Sequence, residues 1–288
     1  MRLLSLVVAL SFLVPANAQV WQWSRDEMVK YTAKNPYDRF PDGRPKVPDD
    51  VLEKVRGLSS EEAWVVLPSK GFPNFWEGGW QVLHPERKLV GRAVTCMFMP
   101  ARADLNDILE ADAKAANKSR PAHQMVLDML QPGEVVVADM MGRSEDGMIG
   151  DNLATAIYAA TKAGFVIDGP IRDLDGIFPI PMAGYFRAAH PSAIRNAMLV
   201  AVNTPVRIGK AVVMPGDVVL GDREGVNFIP PHLVSEIIKL AEETHIHDEW
   251  TKDKFMTGKY KSTDLYSRPK DPALIKEYEE YKKKKLGK

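Results

Sequence analysis

The hydrophobic positions of this chain fall into distinct textures. The first is an almost unbroken apolar run, Leu3 to Val14, preceded by Met1-Arg2 and followed by Pro15-Ala16-Asn17-Ala18. A basic start, an apolar stretch of about a dozen residues and an Ala-x-Ala ending predict a secretory signal peptide over residues 1–18, cleaved before Gln19. The run is too short to cross a bilayer core. The expectation is therefore an exported protein, periplasmic or secreted, with no membrane contact after cleavage. Residues 19–48 are polar, aromatic and proline-rich (Trp21, Trp23, Tyr31 and Tyr37 among Pro36, Pro41, Pro45 and Pro48). They predict an extension that packs on the main body through its aromatic rings.

From Pro48 onward the texture becomes periodic. Val51, Leu52 and Val55 have helical spacing after Pro48-Asp49-Asp50. Short apolar runs bounded by Gly and Pro predict strands over 90–98, 134–139, 165–168, 199–206, 211–213 and 217–220. Helices are predicted over 122–130, over 151–163 with Gly164 as the residue past its end, and from Pro230-Pro231 to about Trp250. Strands and helices alternate, so residues 49–250 read as an α/β domain on a mixed sheet. Residues 251–288 form a charged tail. In it Asp271-Pro272 opens a helix with Leu274, Tyr278 and Tyr281 on one stripe, ending in the solvated run Lys282 to Lys285.

Composition narrows the class. The 288 residues are 45% hydrophobic and 26% charged, a globular balance. Lys plus Arg and Asp plus Glu are both 38, which excludes a nucleic-acid binder held by bulk charge. A single cysteine, Cys96, excludes an intrachain disulfide and any zinc site built from several cysteines. Its place in the apolar run 93–98 predicts a buried strand position.

Chemistry concentrates in two pieces, Gly150-Asp151-Asn152-Leu153 and Gly169-Pro170-Ile171-Arg172-Asp173. The first lies where a polar turn enters a helix, and free amides there suit a carboxylate or phosphate. Glycine at 150 permits close backbone approach. The plainer reading makes Asp151 an ordinary N-cap. The second piece follows a strand, and ligands of α/β sheets collect at the carboxyl ends of strands. Arg172 offers a planar fork for a carboxylate, and Asp173 offers an oxygen to a hard divalent ion. Here the plainer reading is a salt-bridged surface turn.

Twenty residues separate Asp151 from Arg172, and this glycine-preceded Asp-x20-Arg-Asp pattern resembles the family of 4-hydroxy-4-methyl-2-oxoglutarate aldolase and the regulator of ribonuclease activity A. Three other runs resemble the same family: Val90-Gly91-Arg92-Ala93-Val94-Thr95, Gln131 to Asp139, and Pro215 to Val226 with Ile229-Pro230. Together they span roughly residues 50–245. The resemblance implies a swivelling β/β/α-type layered domain assembled as a homotrimer or hexamer. It also implies that Gly150, Asp151, Asn152, Leu153 and Arg172 bind a 2-oxo acid and that Asp173 holds Mg²⁺ or Mn²⁺. The activity implied is pyruvate-releasing retro-aldol cleavage of a 4-hydroxy-2-oxo acid, with decarboxylation of oxaloacetate as a related reaction. Arg172 and Asp151 are the catalytic candidates, and Asp168 and Asp175 flank them. The alternative is a non-catalytic trimeric binding or regulatory module of the same fold. Phe178 to Phe186 departs from the family by its aromatics and prolines, as do the signal peptide, the extension and the lysine-rich tail.

Other candidates carry less. His245 and His247 point about 200° apart on a helix and share no face. His190, near Arg187, reads as a surface-loop histidine, and His84, His123 and His232 carry no motif. Trp76 and Trp80, among Gly71, Gly78 and Gly79, read as a loop packed on the core. No Ser-His-Asp set, phosphate loop or dinucleotide fingerprint is present.

Overall fold

The apolar runs of the middle of the chain become strands of one sheet. The computed structural model describes residues 20–115, 122–266 and 268–287, so the expected signal peptide lies outside the described residues. The chain opens with α1 (Arg25–Tyr31), the short strands β1 (Asp38–Arg39) and β2 (Pro45–Lys46), and helices α2 (Asp49–Arg56) and α3 (Ser60–Val66). Next come β3 (Trp76–Glu77), β4 (Gln81–Leu83), the long β5 (Leu89–Pro100), α4 (Ala103–Ala115), α5 (His123–Leu127) and β6 (Glu134–Asp139). They are followed by α6 (Asp151–Thr161), β7 (Gly164–Ile171), the single-turn α7 (Leu174–Ile177), β8 (Ala183–Ala189) and β9 (Ala197–Val202). The hairpin β10 (Val206–Ile208) and β11 (Ala211–Val213) leads to β12 (Val218–Gly221) and β13 (Val226–Ile229). Helices α8 (Val234–Met256), α9 (Ser262–Leu265) and α10 (Pro272–Lys285) come last.

The sheet runs β3-β13-β12-β5-β6-β7-β8-β4, with β9 also paired to β5. Strands β5 to β8 are parallel neighbours, and the outer pairings are antiparallel. Every residue of β6 and β7 is buried, as parallel strands covered on both faces must be. Alternation divides them between two faces. Val136, Ala138, Phe165 and Ile167 meet Val126, Ala154 and Ile157 of α5 and α6. Val135, Val137 and Val166 meet Val206, Ile208, Ala211 and Val213 of the β10–β11 hairpin. The layers are therefore hairpin, sheet and helices, the expected β/β/α arrangement on a mixed sheet. Towards β12 and β13, helices α2, α3 and α8 cover Val90, Val218, Leu220 and Ile229. Cys96 is fully buried in the first of these cores, and burial pushes its thiol far up.

Several expectations needed correction. The helix expected over 151–163 stops at Thr161, and Lys162, not Gly164, takes the left-handed conformation past its end. Gly164 is required for a different reason: a Cβ there would run into the Ala183 carbonyl of the neighbouring strand. The apolar run 199–206 is two strands, parted at Asn203, whose positive φ turns the chain. The extension packs through only some of its rings: Tyr37 and Phe40 meet the body, whereas Trp21 and Tyr31 are more than half exposed, and Val20, Met28 and Val47 carry the rest of the burial. Two of the four lysines of the tail run are held: Lys282 and Lys285 pair with Glu243 and Glu249 of α8. Such exposed pairs contribute at most about 1 kcal/mol each. The larger share of that docking comes from Trp250, Leu265, Leu274 and Tyr278, which form a small core of their own.

Polar contacts fix the extension to the sheet. Arg44 reaches Glu134, at the start of β6, at 2.6 Å, with side-chain exposures of 4% and 0%. Arg92 of β5 donates to the Val47 and Pro132 carbonyls and pairs with Asp49. Removing one member of a buried ion pair strands the other charge. Arg44→Met is accordingly expected to lower stability by about 3–5 kcal/mol in urea unfolding, and the Arg44→Met/Glu134→Leu pair to recover most of that loss. A single-variant cost below about 1 kcal/mol would show that the pair does not anchor the extension.

Candidate active site

The site forms where β7 leaves the sheet. A register shift against β8 between Ile167 and Pro170 bends the strand before its end. Beyond the bend, the segment before α6 lies alongside it: Met148 donates its amide to the Pro170 carbonyl, and Arg172 donates its amide to that of Ile149, both at 2.9 Å. On the other side His190 donates to the Ile171 carbonyl, and Gly147 donates to that of Ser192. These bonds bring the two sequence pieces, 150–153 and 172–173, side by side. Asp146 braces the turn. It is 2% exposed, accepts the amides of Arg195 and Asn196 at 3.1 Å each, and pairs with Arg143 at 2.7 Å.

Gly150, and not Asp151, is the residue that precedes the helix; Asp151 is its first helical residue. No side chain caps the helix end. The Asp151 carboxylate takes the neighbouring Asn152 amide at 2.8 Å, while the amides of Asp151 and Leu153 find no acceptor among the described residues. The positive end of α6 thus stays open to a ligand. Leu153 packs its side chain on the core, and Asn152 is exposed.

Arg172 and Asp173 stand against that end. Arg172 donates through Nη1 to the Gly147 carbonyl at 3.2 Å, and its Nε lies 3.3 Å from Asp173 Oδ2. Its Nη2 makes no bond among the described residues, and about a quarter of the side chain is exposed. A Cβ built on Gly150 would run into Asp173 Oδ2 and stand 3.2 Å from Arg172 Nε. Any larger residue there would displace the Asp173 carboxylate. The Asp151 carboxylate lies against α7, where a Cβ on Gly176 would come within 2.7 Å of its Oδ2. One carboxylate, one guanidinium and two free amides therefore stand around the Gly150 backbone. Asp173 reaches its place with φ 58° and ψ 41°, a left-handed conformation unusual for a residue with a side chain.

Sequence reasoning missed His123. Burial first, and then the charge of Arg172, push its imidazole down to about 4, so it is neutral near the site at neutral pH. Nothing in the residues around it signals this, because the contact is tertiary. Asp168, expected to flank the site, does something else. It accepts from Arg187 Nε at 2.6 Å and from the Gly209 amide at 3.0 Å, which pins the β10–β11 hairpin to the sheet. Arg187 also lies over the Trp80 ring and pairs with Glu77, so the tryptophan loop is held by the same brace. Asp175 is exposed on α7. His190 shares a hydrogen bond with Ser192 in the adjoining loop. His245 pairs with Glu62, whereas His247 faces Tyr278, so the two histidines are indeed apart.

Among the described residues no group of three or more His, Cys, Asp or Glu gathers as a metal cage. The half-exposed Asp173 carboxylate, beside an open helix end, suits a hard divalent ion that takes its other oxygens from water and ligand. The left-handed backbone of Asp173 yields a prediction. Asp173→Gly removes about 1–2 kcal/mol of conformational strain and adds about 0.4–1 kcal/mol of unfolded-state entropy, so stability should hold or rise slightly in urea unfolding. A loss above about 1 kcal/mol would mean that the side chain serves the fold.

Comparison with known proteins places these residues in a wider set. The family model described as RraA-like, Aldolase/RraA, matches residues 71–227, more than half of the chain and all of the site. A putative 4-hydroxy-4-methyl-2-oxoglutarate aldolase of Halalkalibacterium halodurans is 29% identical over 118 residues, 41% of this chain and 56% of that protein. The 4-hydroxy-4-methyl-2-oxoglutarate aldolase of Thermus thermophilus is 28% identical over 105 residues, 36% of this chain and 64% of that protein. The chain thus spans less than two thirds of the length of these relatives. Among solved structures, a Streptomyces coelicolor protein described as an unusual member of the RNase ES inhibitor RraA family superposes with a TM-score of 0.62 at 26% identity. It covers 74% of this chain and 100% of that one. The matched region, the layered sheet and the order of its motifs agree: the chain belongs to the RraA-like (Aldolase/RraA) family.

Proposed function

We propose that this protein is a divalent-metal-dependent carbon–carbon lyase that releases pyruvate from a 4-hydroxy-2-oxo acid and also decarboxylates oxaloacetate. The observation that carries the reading is the convergence of Arg172, Asp173 and the open α6 end on the Gly150 backbone. The names of the aldolase relatives support it. Arg172 and the amides of Asp151 and Leu153 hold the substrate carboxylate, because a guanidinium fork and a helix N-terminus both favour an anion. Asp173 is the residue that would hold Mg²⁺ or Mn²⁺. When bound, the ion stabilises negative charge on the 2-oxo oxygen.

In the aldol cleavage, the Asp151 carboxylate, acting through a water, takes the proton of the 4-hydroxyl. The C3–C4 bond then breaks, its electron pair remaining with C3 as the enolate of pyruvate. Protonation at C3 gives pyruvate, and the other fragment leaves as a carbonyl compound. Oxaloacetate reaches the same enolate by loss of carbon dioxide, without a base for a hydroxyl. Both reactions place charge where the cationic groups already stand. The proposal includes export of the mature chain from Gln19 and assembly as a homotrimer or a pair of trimers.

A second reading is a non-catalytic trimeric binding or regulatory module of the same fold, since the Streptomyces coelicolor neighbour is described as a member of an inhibitor family. Turnover separates the two. Metal-stripped protein is given oxaloacetate or 4-hydroxy-4-methyl-2-oxoglutarate, with and without Mg²⁺ or Mn²⁺, and pyruvate is followed with lactate dehydrogenase. Release is expected only with metal. Asp173→Ala should abolish it, and Arg172→Ala should raise KM about 10- to 100-fold, the scale of a lost charge-assisted bond. Variants that match wild type would overturn the site assignment. Silence on both substrates by folded, metal-loaded protein would favour the binding module.

A further inference from the structure

A cavity of about 590 Å³ lies between the extension, the loop before β3 and the start of β12. None of its wall residues belongs to the site at Gly150, Arg172 and Asp173. Four rings, Tyr31, Phe72, Phe75 and Phe228, stand in its wall. Among them is a carboxylic acid, Asp217, only 4% exposed. Its Oδ2 accepts the Met214 amide at 2.8 Å, closing the Pro215-Gly216 turn. Its Oδ1 accepts from no atom of the described residues. Closing the turn needs one oxygen, and asparagine would supply it without burying an ionisable group. On a side chain this far buried, a carboxyl oxygen without a protein donor is left to whatever occupies the cavity, and marks a place where a ligand group belongs.

The surrounding charges leave Asp217 unmatched. Burial pushes its carboxyl up to about 7, against the Met214 amide, which favours the charged form. Lys30 and Lys34 are exposed at the rim, and His232, pushed down by burial and by Lys34, is neutral at pH 7. Arg92, paired with Val218 across β5, turns its guanidinium to Val47 and Asp49, and Lys46 of β2 lies over the Phe40 ring.

We propose that this cavity is a second binding site, for a small primary amine with an aromatic or compact apolar body. Its ammonium pairs with the free oxygen of Asp217, and Tyr31, Phe72, Phe75 and Phe228 enclose the rest. A cation in an apolar, ring-lined cavity is stabilised by a carboxylate and by aromatic faces together, and a neutral alcohol of the same shape gains much less.

Calorimetric titration of the full mature protein with benzylamine, 2-phenylethylamine, 3-phenylpropylamine and neutral 2-phenylethanol tests this. At least one amine should saturate a single site, tenfold or more tighter than the alcohol. Its affinity should rise about tenfold from pH 6 to pH 8 as the acid ionises. Asp217→Asn should weaken it tenfold or more and leave pyruvate release unchanged. Phe72→Ala, which keeps the acid, should also weaken it and serves if the first variant does not fold. The proposal fails if no amine saturates, if the alcohol binds equally well, or if the variants bind like wild type. None of these outcomes depends on the lyase reading, which is scored by turnover.

Discussion

The rest of the site depends on one close approach, that of the Gly150 backbone to the Asp173 carboxylate. Two segments separated by more than a helix and a strand meet there without a side chain between them. The contact holds the positive end of α6 beside a carboxylate and a guanidinium. A Cβ at 150 would drive Asp173 away. The left-handed backbone of Asp173 belongs to the same constraint, since it turns the carboxylate back towards the helix. Strain of this kind persists where the surroundings over-determine it, and here the Met148–Pro170 and Arg172–Ile149 bonds do so.

The layers of the fold make that approach rigid. The strand β7 is buried on both faces, by α5 and α6 on one and by the β10–β11 hairpin on the other. Asp168, on the hairpin side, ties Arg187 and Gly209, and through them the tryptophan loop. The extension closes the opposite part of the sheet through Arg44 and Glu134. Polar groups buried in this way set geometry more than they add stability, because desolvation offsets much of their attraction. The site itself remains partly open, which a ligand must have.

Much of this was legible in the residues. The interleaved runs around Val135–Val137 and Phe165–Ile167 announced a mixed sheet, and the glycine before Asp151 together with Arg172-Asp173 marked two pieces that the fold brings side by side. Local pattern suffices where burial repeats with a fixed period or where a motif sits at a strand end. It failed where tertiary contacts decide. Asp168 was expected beside its motif neighbours, yet successive strand residues point to opposite faces, and it serves the hairpin side. Trp21 and Tyr31 have the apolar area of core residues, but the extension buries Met28 and Phe40 instead. His123 became a neighbour of Arg172 only through folding, and Asp217 gained its cavity only when α1 and the loop before β3 closed over it.

On the proposed function, one site binds a divalent ion and a 2-oxo-acid carboxylate together. Oxalate, a planar dianion resembling the enolate of pyruvate, is a suitable probe, because a site built for that charge should bind it tightly. The direct measurement is water-proton relaxation of Mn²⁺ with the protein, titrated with oxalate, for wild type and Gly150→Ala. Mn²⁺ is expected to be retained on wild type and to form a ternary complex with oxalate, and both are expected to be lost in the variant. Oxalate binding that ignores the metal, or a variant that forms the ternary complex unchanged, would contradict that reading.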